Sequence, residues 1–264
     1  MRSPDAGRAE LLAQWREAAR DVPEGWTFSH LAGRLTDDQP PWDYPAACRT
    51  ALRGADHVLD MGTGGGEFLR TLADALPPDT VATEGWDPNV PVATANLAPF
   101  RIPVVRYDAE ADPPMSLPFP ANRFDLVLNR HESFDVTELA RVIAPGGVFL
   151  TQQVGGDEGA EIRELFGAEA AYPDHMLDNI AAQVREAGFR IEGSASWHGR
   201  YQFADVGALV SYLALIPWDV PQDFGVDAYA DTLLRLHADG PAGGKPLTFA
   251  KSRFWLRAVL AGAA

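Results

Sequence analysis

The sequence predicts an α/β fold: a doubly wound, mostly parallel sheet with helices on both faces. Two observations carry that expectation. From His57 onward, short apolar, β-branched runs alternate with helical patterns at the spacing of right-handed βαβ units. The strand candidates also read as near-continuous apolar runs, Asp125-Leu126-Val127-Leu128 among them, as they do when helices bury both sides of a sheet.

Taken in order, residues 1–54 hold an amphipathic helix (Leu11, Leu12, Trp15, Ala19) and then an aromatic, proline-rich passage, Pro40-Pro41-Trp42-Asp43-Tyr44-Pro45. Strands are expected at His57–Met61, Thr80–Glu84, Ile102–Tyr107, Phe124–Asn129 and Val148–Val154. Helices are expected near Glu67–Leu76, Asn89–Leu97 and Val136–Ile143. A further strand, Phe189–Trp197, precedes a helix near Asp205–Leu215, the turn Ile216-Pro217-Trp218 and a helix near Asp227–His237. The break Gly240-Pro241-Ala242-Gly243-Gly244 then leads to a last strand, Leu247–Ala258. The expected organisation is a single domain over 1–264: an N-terminal helical cap (1–54), a core (55–203), a helical insertion or lid (204–246), and the last strand and tail (247–264). Both elaborations are expected to cover the carboxyl edge of the sheet, where open α/β folds bind ligands.

Composition narrows the class of function. Across 264 residues, 22 Lys and Arg stand against 37 Asp and Glu, a net charge of −15 that repels phosphate backbones and makes nucleic acid an improbable partner. Apolar residues at 46% and charged residues at 22% are those of a soluble globular protein. Cys48 is the single cysteine, and no Cys/His cluster has metal-ligand spacing, so no metal is expected. Asp5, Arg8 and Glu10 occupy the place of a signal peptide's apolar run. The stretch from Val206 to Trp218 is too short to span a bilayer. A cytoplasmic protein with no membrane association is the expectation, its oligomeric state left open.

The most informative segment is Val58-Leu59-Asp60-Met61-Gly62-Thr63-Gly64-Gly65-Gly66-Glu67-Phe68, a strand, a glycine turn and a helix start. Its glycines allow a sharp turn and close approach of the backbone to a ligand. The dinucleotide pattern Gly-x-Gly-x-x-Gly fails because its sixth position is Glu67. The spacing is Asp60-x-Gly62-x-Gly64-x-Gly66, and an acid two residues before the first glycine suits a ligand that bears a cation and no pyrophosphate. Gly243-Gly244-Lys245 is followed by Pro246, which excludes a P-loop.

With these residues the chain resembles the class I S-adenosylmethionine-dependent methyltransferases, and the likeness continues past the loop. Glu84 ends the second strand, where the family places the acid that accepts both ribose hydroxyls. Asp108-Ala109 follows the third strand, where the family's aspartate meets the adenine amino group. Leu117-Pro118-Phe119 with Phe124-Asp125-Leu126-Val127 resembles the entry to strand four, and Glu138 to Gly147 resembles the helix and Pro-Gly-Gly turn before strand five. The resemblance covers roughly residues 55–155 and departs in the long Asp108–Pro118 connection. It implies a seven-stranded sheet of order 3-2-1-4-5-7-6 with strand seven antiparallel. It also implies S-adenosylmethionine as cofactor, contacted by Asp60, Gly62, Thr63, Gly64, Gly66, Glu84, Asp108, Ala109 and Asn129. Trp86 is placed either on the adenine face or in the core.

Asn129-Arg130-His131-Glu132-Ser133-Phe134 follows strand four, the position that in this family lies beside the sulfonium methyl group. Methyl transfer is an in-line displacement accelerated by holding acceptor and methyl aligned. A hydroxyl acceptor must also lose a proton, and an imidazole suits that task. His131 is therefore the candidate general base with Glu132 as its orienting partner; the alternatives are a structural histidine or a cofactor contact. The Asn/Asp-Pro-Pro-Tyr/Phe motif of base-amine methylation is absent, and Cys48 lies before strand one, away from the place of a cytosine-methylating nucleophile. Trp42, Tyr44, Trp197, His198, Tyr201 and Trp218 either wall an acceptor pocket or join the elaborations to the core. Asp219, Asp223, Asp227 and Asp231 read as solvated turns with an N-cap at Asp227. The leading reading is methylation of a small molecule, at oxygen or at nitrogen. The alternatives are methylation of RNA or protein, or a methyltransferase-like protein that binds the cofactor without transferring a methyl group.

Overall fold

The computed structural model describes residues 4–21 and 28–262. Along the chain lie α1 (Pro4–Arg20), β1 (Leu35–Asp37), α2 (Tyr44–Leu52), β2 (His57–Met61), α3 (Glu67–Arg70), β3 (Asp79–Glu84), α4 (Asn89–Leu97), β4 (Val104–Arg106), β5 (Phe124–Arg130), α5 (Val136–Val142) and β6 (Ile143–Val154). Then follow α6 (Ala160–Phe166), α7 (Leu177–Glu186), β7 (Phe189–Phe203), α8 (Val206–Leu215), α9 (Ala230–Asp239) and β8 (Leu247–Leu260). The strands are ordered β1-β7-β8-β6-β5-β2-β3-β4. Without β1 this is the expected order of seven, and β8 runs antiparallel to β6 as expected. The eighth strand is the correction: Leu35–Asp37 pairs antiparallel with Tyr201–Phe203, because β7 continues to Phe203 and offers an edge beyond Trp197.

Two compact units divide the chain. The larger comprises residues 41–155, 174–197 and 253–264; the smaller comprises 1–40, 156–173 and 198–252. In the larger unit β2, β3, β4, β5 and β6 are parallel, with Val58↔Leu126 and Leu128↔Leu150 in register. Because side chains alternate along a strand, register assigns every residue to a face. On one face Val58, Leu126, Leu128 and Leu150 pack with Tyr44, Cys48 and Leu52 of α2. On the other, Leu59, Met61, Val127 and Phe149 pack with Leu139 and Val142 of α5 and Ile180 and Val184 of α7.

Helix α2 begins where the proline-rich passage ends. The Asp43 carboxylate accepts from Ala46 N at 2.8 Å, and Pro45 sits in the first turn where its missing N–H costs nothing. Helix α3 is shorter than expected: after Arg70 the bonds tighten to Thr71 N→Phe68 O, Leu72 N→Leu69 O and Ala73 N→Arg70 O, a 3₁₀-like run ahead of Pro77-Pro78.

In the smaller unit Leu12 and Trp15 of α1 pack with Leu209, Val210 and Leu213 of α8 and with Phe203 and Phe249. Asp227 is not an N-cap, since α9 starts only at Ala230; its carboxylate instead pairs with Arg16 at 2.6 Å. Nor is Asp219 solvated. It is buried 2.6 Å from Arg163, whose guanidinium also donates to Glu158 O and Gly156 O. No described helix is long and apolar enough to cross a membrane.

Candidate active site

The glycine turn joins β2 to α3, and its conformation explains its composition. Gly62, Gly64 and Gly66 have φ of 70°, 60° and 83°, the left-handed region that glycine enters at least cost. The turn is tied to the end of β3: Thr63 N donates to Thr83 O at 2.8 Å, and Gly64 N donates to Glu84 Oε2 at 2.7 Å. Glu84 Oε1 accepts from Trp86 N at 2.9 Å. Burial raises the Glu84 pKa against the pull of these backbone N–H groups. A Cβ at Gly85 would stand 2.8 Å from Tyr107 O, so the turns after β3 and β4 lie in contact and bring Asp108 beside Glu84's segment. Trp86 is 49% exposed, which removes the core alternative for it.

Asp60 lies 3% exposed at the end of β2. Burial pushes its pKa up to about 6, while the Thr63 hydroxyl and the Arg130 guanidinium hold it lower. On the same face as Asp60, Tyr44 Oη donates toward Asn129 O (2.8 Å) and Leu150 O (3.0 Å), fastening α2 to the ends of β5 and β6.

His131 and Glu132, adjacent in sequence, have different partners. His131 takes φ 59° immediately after β5, with its N–H bonded to Gln152 O at 2.8 Å. Its Nε2 lies 3.1 Å from Gln152 Nε2, and Gln152 Oε1 accepts from Trp42 Nε1 at 2.8 Å. An indole nitrogen only donates, so the amide must present its oxygen to Trp42 and its NH₂ to His131. The Nε2 lone pair of His131 is therefore engaged as an acceptor. Glu132 turns to the glycine loop, where Gly62 leaves room for its side chain. Burial, followed by the charges of Glu84 and Glu110, pushes its carboxyl up to about 7.

Asn129 is buried, and its side-chain amide is engaged within the sheet. Its Oδ1 accepts from Thr151 Oγ1 (2.8 Å) and Gln153 Nε2 (2.5 Å), and its Nδ2 donates to Met61 O (3.4 Å). Gln153 and His175 were not singled out in the sequence; both join this network, described below. Among the described residues, no group of three or more His, Cys, Asp or Glu could hold a metal ion.

Comparison with known proteins agrees with this geometry. Residues 59–151 match the family model described as "Methyltransferase domain". The matched segment runs from β2 to β6 and includes the glycine turn, so this part of the chain is similar to a methyltransferase domain. A curated relative, trans-aconitate 2-methyltransferase of Paracidovorax citrulli, is 27% identical over 207 residues, covering 71% of this chain and 76% of that protein. Among solved structures, BH2331 of Bacillus halodurans C-125 superposes with a TM-score of 0.58 at 19% identity, over 83% of this chain and 99% of that one. YcgJ of Bacillus subtilis gives 0.58 at 16% identity, with the same coverage. At these identities the two structures speak to the fold.

The residues of this site fit S-adenosylmethionine, the cofactor that the resemblance implies. Glu84 offers a buried carboxylate with acceptor capacity left on both oxygens beyond the backbone N–H groups it already receives. The positive-φ loop allows close approach of its backbone, and Asp60, Glu84, Asp108 and Glu110 supply negative charge for a cationic ligand.

Proposed function

We propose that this methyltransferase methylates a small molecule at an oxygen atom. The observation that carries the reading is the Glu132 carboxyl against Gly62, at the β5 end where the family brings acceptor and methyl group together. With a pKa of about 7 it can donate a hydrogen bond to an acceptor oxygen when protonated and receive one when ionised. Its carboxylate neighbours and the net charge of −15 oppose a nucleic-acid backbone. The curated relative is named for trans-aconitate, a small acid whose heteroatoms are all oxygen.

S-adenosylmethionine supplies, when bound, a methyl group on a positively charged sulfur. The chain's part is positioning. Asp60, Gly62, Thr63, Gly64, Gly66, Glu84, Trp86, Asp108 and Ala109 form the cofactor side. Glu132 stands at the acceptor side, and His131, its Nε2 held by Gln152, shapes the wall.

Calorimetry with S-adenosylhomocysteine, followed by turnover on a panel of carboxylic acids, hydroxy acids, phenols, amines and transfer RNA, tests the proposal. An O-methylated small product is expected. Methylation confined to RNA or to amines would replace the proposal, and tight cofactor binding with no turnover would favour a binding protein.

A further inference from the structure

Gln153 of β6 points to the face opposite Gln152 and organises a second histidine. Its Nε2 donates to Asn129 Oδ1 at 2.5 Å and to the main-chain oxygen of Glu132 at 2.9 Å, with Thr151 Oγ1 at 2.8 Å. Two carbonyl oxygens on that nitrogen fix the amide's orientation, so its Oε1 is the atom that faces His175 Nε2 at 3.3 Å. An oxygen without a proton can only accept, so Nε2 of the neutral ring carries the hydrogen and the lone pair sits on Nδ1. Phe254 packs on the ring at 5.6 Å, and Glu110 is the charged group that acts on it.

His175 is therefore coupled to the acceptor side twice: through Gln153 to the Glu132 backbone, and through Glu110, whose charge acts on both Glu132 and His175. We infer that His175, with its lone pair directed to Nδ1 by the Asn129–Gln153 relay, is the group that accepts the proton of a hydroxyl acceptor. This rests on the oxygen-acceptor reading above. As the acceptor oxygen bonds to the methyl carbon, the carbon–sulfur bond breaks with its electron pair left on sulfur. The hydroxyl proton moves to Nδ1, leaving a ring protonated on both nitrogens that then loses a proton to solvent. Burial keeps the resting ring neutral and so ready to accept.

Long-range ¹H–¹⁵N correlation spectra of the uniformly labelled protein read the tautomer directly, with no acceptor present. The Nε2–H form is expected for His175 and the Nδ1–H form for His131; an Nδ1–H form at His175 would overturn the inference. The Gln153→Leu variant should lose the single tautomer at His175 while His131 is unchanged. In His175→Gln, S-adenosylhomocysteine affinity should stay within about threefold. For a hydroxyl acceptor from the panel, kcat should fall about 10²–10⁴-fold with little change in KM, and the acidic limb of the pH–rate profile should vanish. Turnover on an acceptor that is already a carboxylate, which has no proton to lose, should be unchanged in His175→Gln; full turnover on the hydroxyl acceptor would overturn the inference and leave the methyltransferase reading intact. A wild-type protein that binds S-adenosylhomocysteine yet methylates nothing would overturn the oxygen-acceptor reading, and this inference with it.

Discussion

A Cβ on Gly62 would stand 2.1 Å from Cγ of Glu132 and 2.3 Å from its Cβ, so the first glycine of the loop and the first acid after β5 share one space. Gly62→Ala should therefore cost far more than the left-handed φ alone. S-adenosylhomocysteine affinity should fall at least tenfold by calorimetry. Adding Glu132→Ala should not restore it, because that side chain's Cβ still obstructs, whereas Glu132→Gly should restore part. Recovery in the alanine double variant would show that the obstruction lies elsewhere.

Glu84→Ala should weaken S-adenosylhomocysteine binding by a few kcal/mol, at roughly 1.5–3 kcal/mol for each charge-assisted hydrogen bond lost. Part of that loss is indirect, because Gly64 N and Trp86 N lose their acceptor and the turn loosens. Unchanged affinity in a folded Glu84→Ala variant would remove Glu84 from the cofactor site.

The raised carboxyl of Glu132 makes stability depend on pH. Its folded pKa, about 7, exceeds the ordinary 4.5, so between those values the folded state holds a proton that the unfolded chain has released. Stability from this group is complete below about 4.5 and is lost as pH rises through about 7. Glu132→Gln should thus be more stable than wild type above pH 7, on the order of 1–3 kcal/mol, with the difference vanishing near pH 4. Thermal melts across pH 4–8 test the sign; a constant offset would refute it.

In the smaller unit, Asp219→Ala leaves the Arg163 guanidinium buried without its carboxylate and should cost about 3–5 kcal/mol. The double variant Arg163→Met, Asp219→Leu should recover most of that loss in urea titration. Equal destabilisation by single and double changes would mean the apolar replacements do not pack.

His131→Ala should lower kcat by less than about tenfold, because its Nε2 lone pair is held by Gln152. A loss of about a hundredfold or more, with cofactor affinity intact, would restore to His131 the proton-accepting role that its position in the sequence suggests.

What the sequence disclosed was what local physics writes locally. The alternation from His57 and the glycine spacing after Asp60 sufficed for the parallel sheet and the glycine turn, because strand burial and positive φ each demand particular residues within a few positions, whereas the strand order came from the family resemblance. Helix α4 falls on its expected residues for the same reason. Helix α2 was hidden behind Pro40-Pro41, although Asp43 and Pro45 are an N-terminal signature. Helices α6 and α7 carried no recognised start signal: neither has a side-chain cap bond. His175 could not be found by spacing, since its relation to β5 passes through the Gln153 amide, 22 residues away. The same limit hid the occupation of His131, which depends on Trp42 acting through Gln152.

Gln152 and Gln153 are consecutive, yet each sets the hydrogen on a different imidazole, and on opposite nitrogens of the two rings. Which ring receives which instruction is decided by parity, odd or even, along β6. Deleting one residue between Leu150 and Gln152 would preserve composition around the site and most strand hydrogen bonds while exchanging the faces of the two amides. Proton inventory at this sheet edge is thus encoded by counting, and shortening the strand by a single residue would miswire both histidines at once.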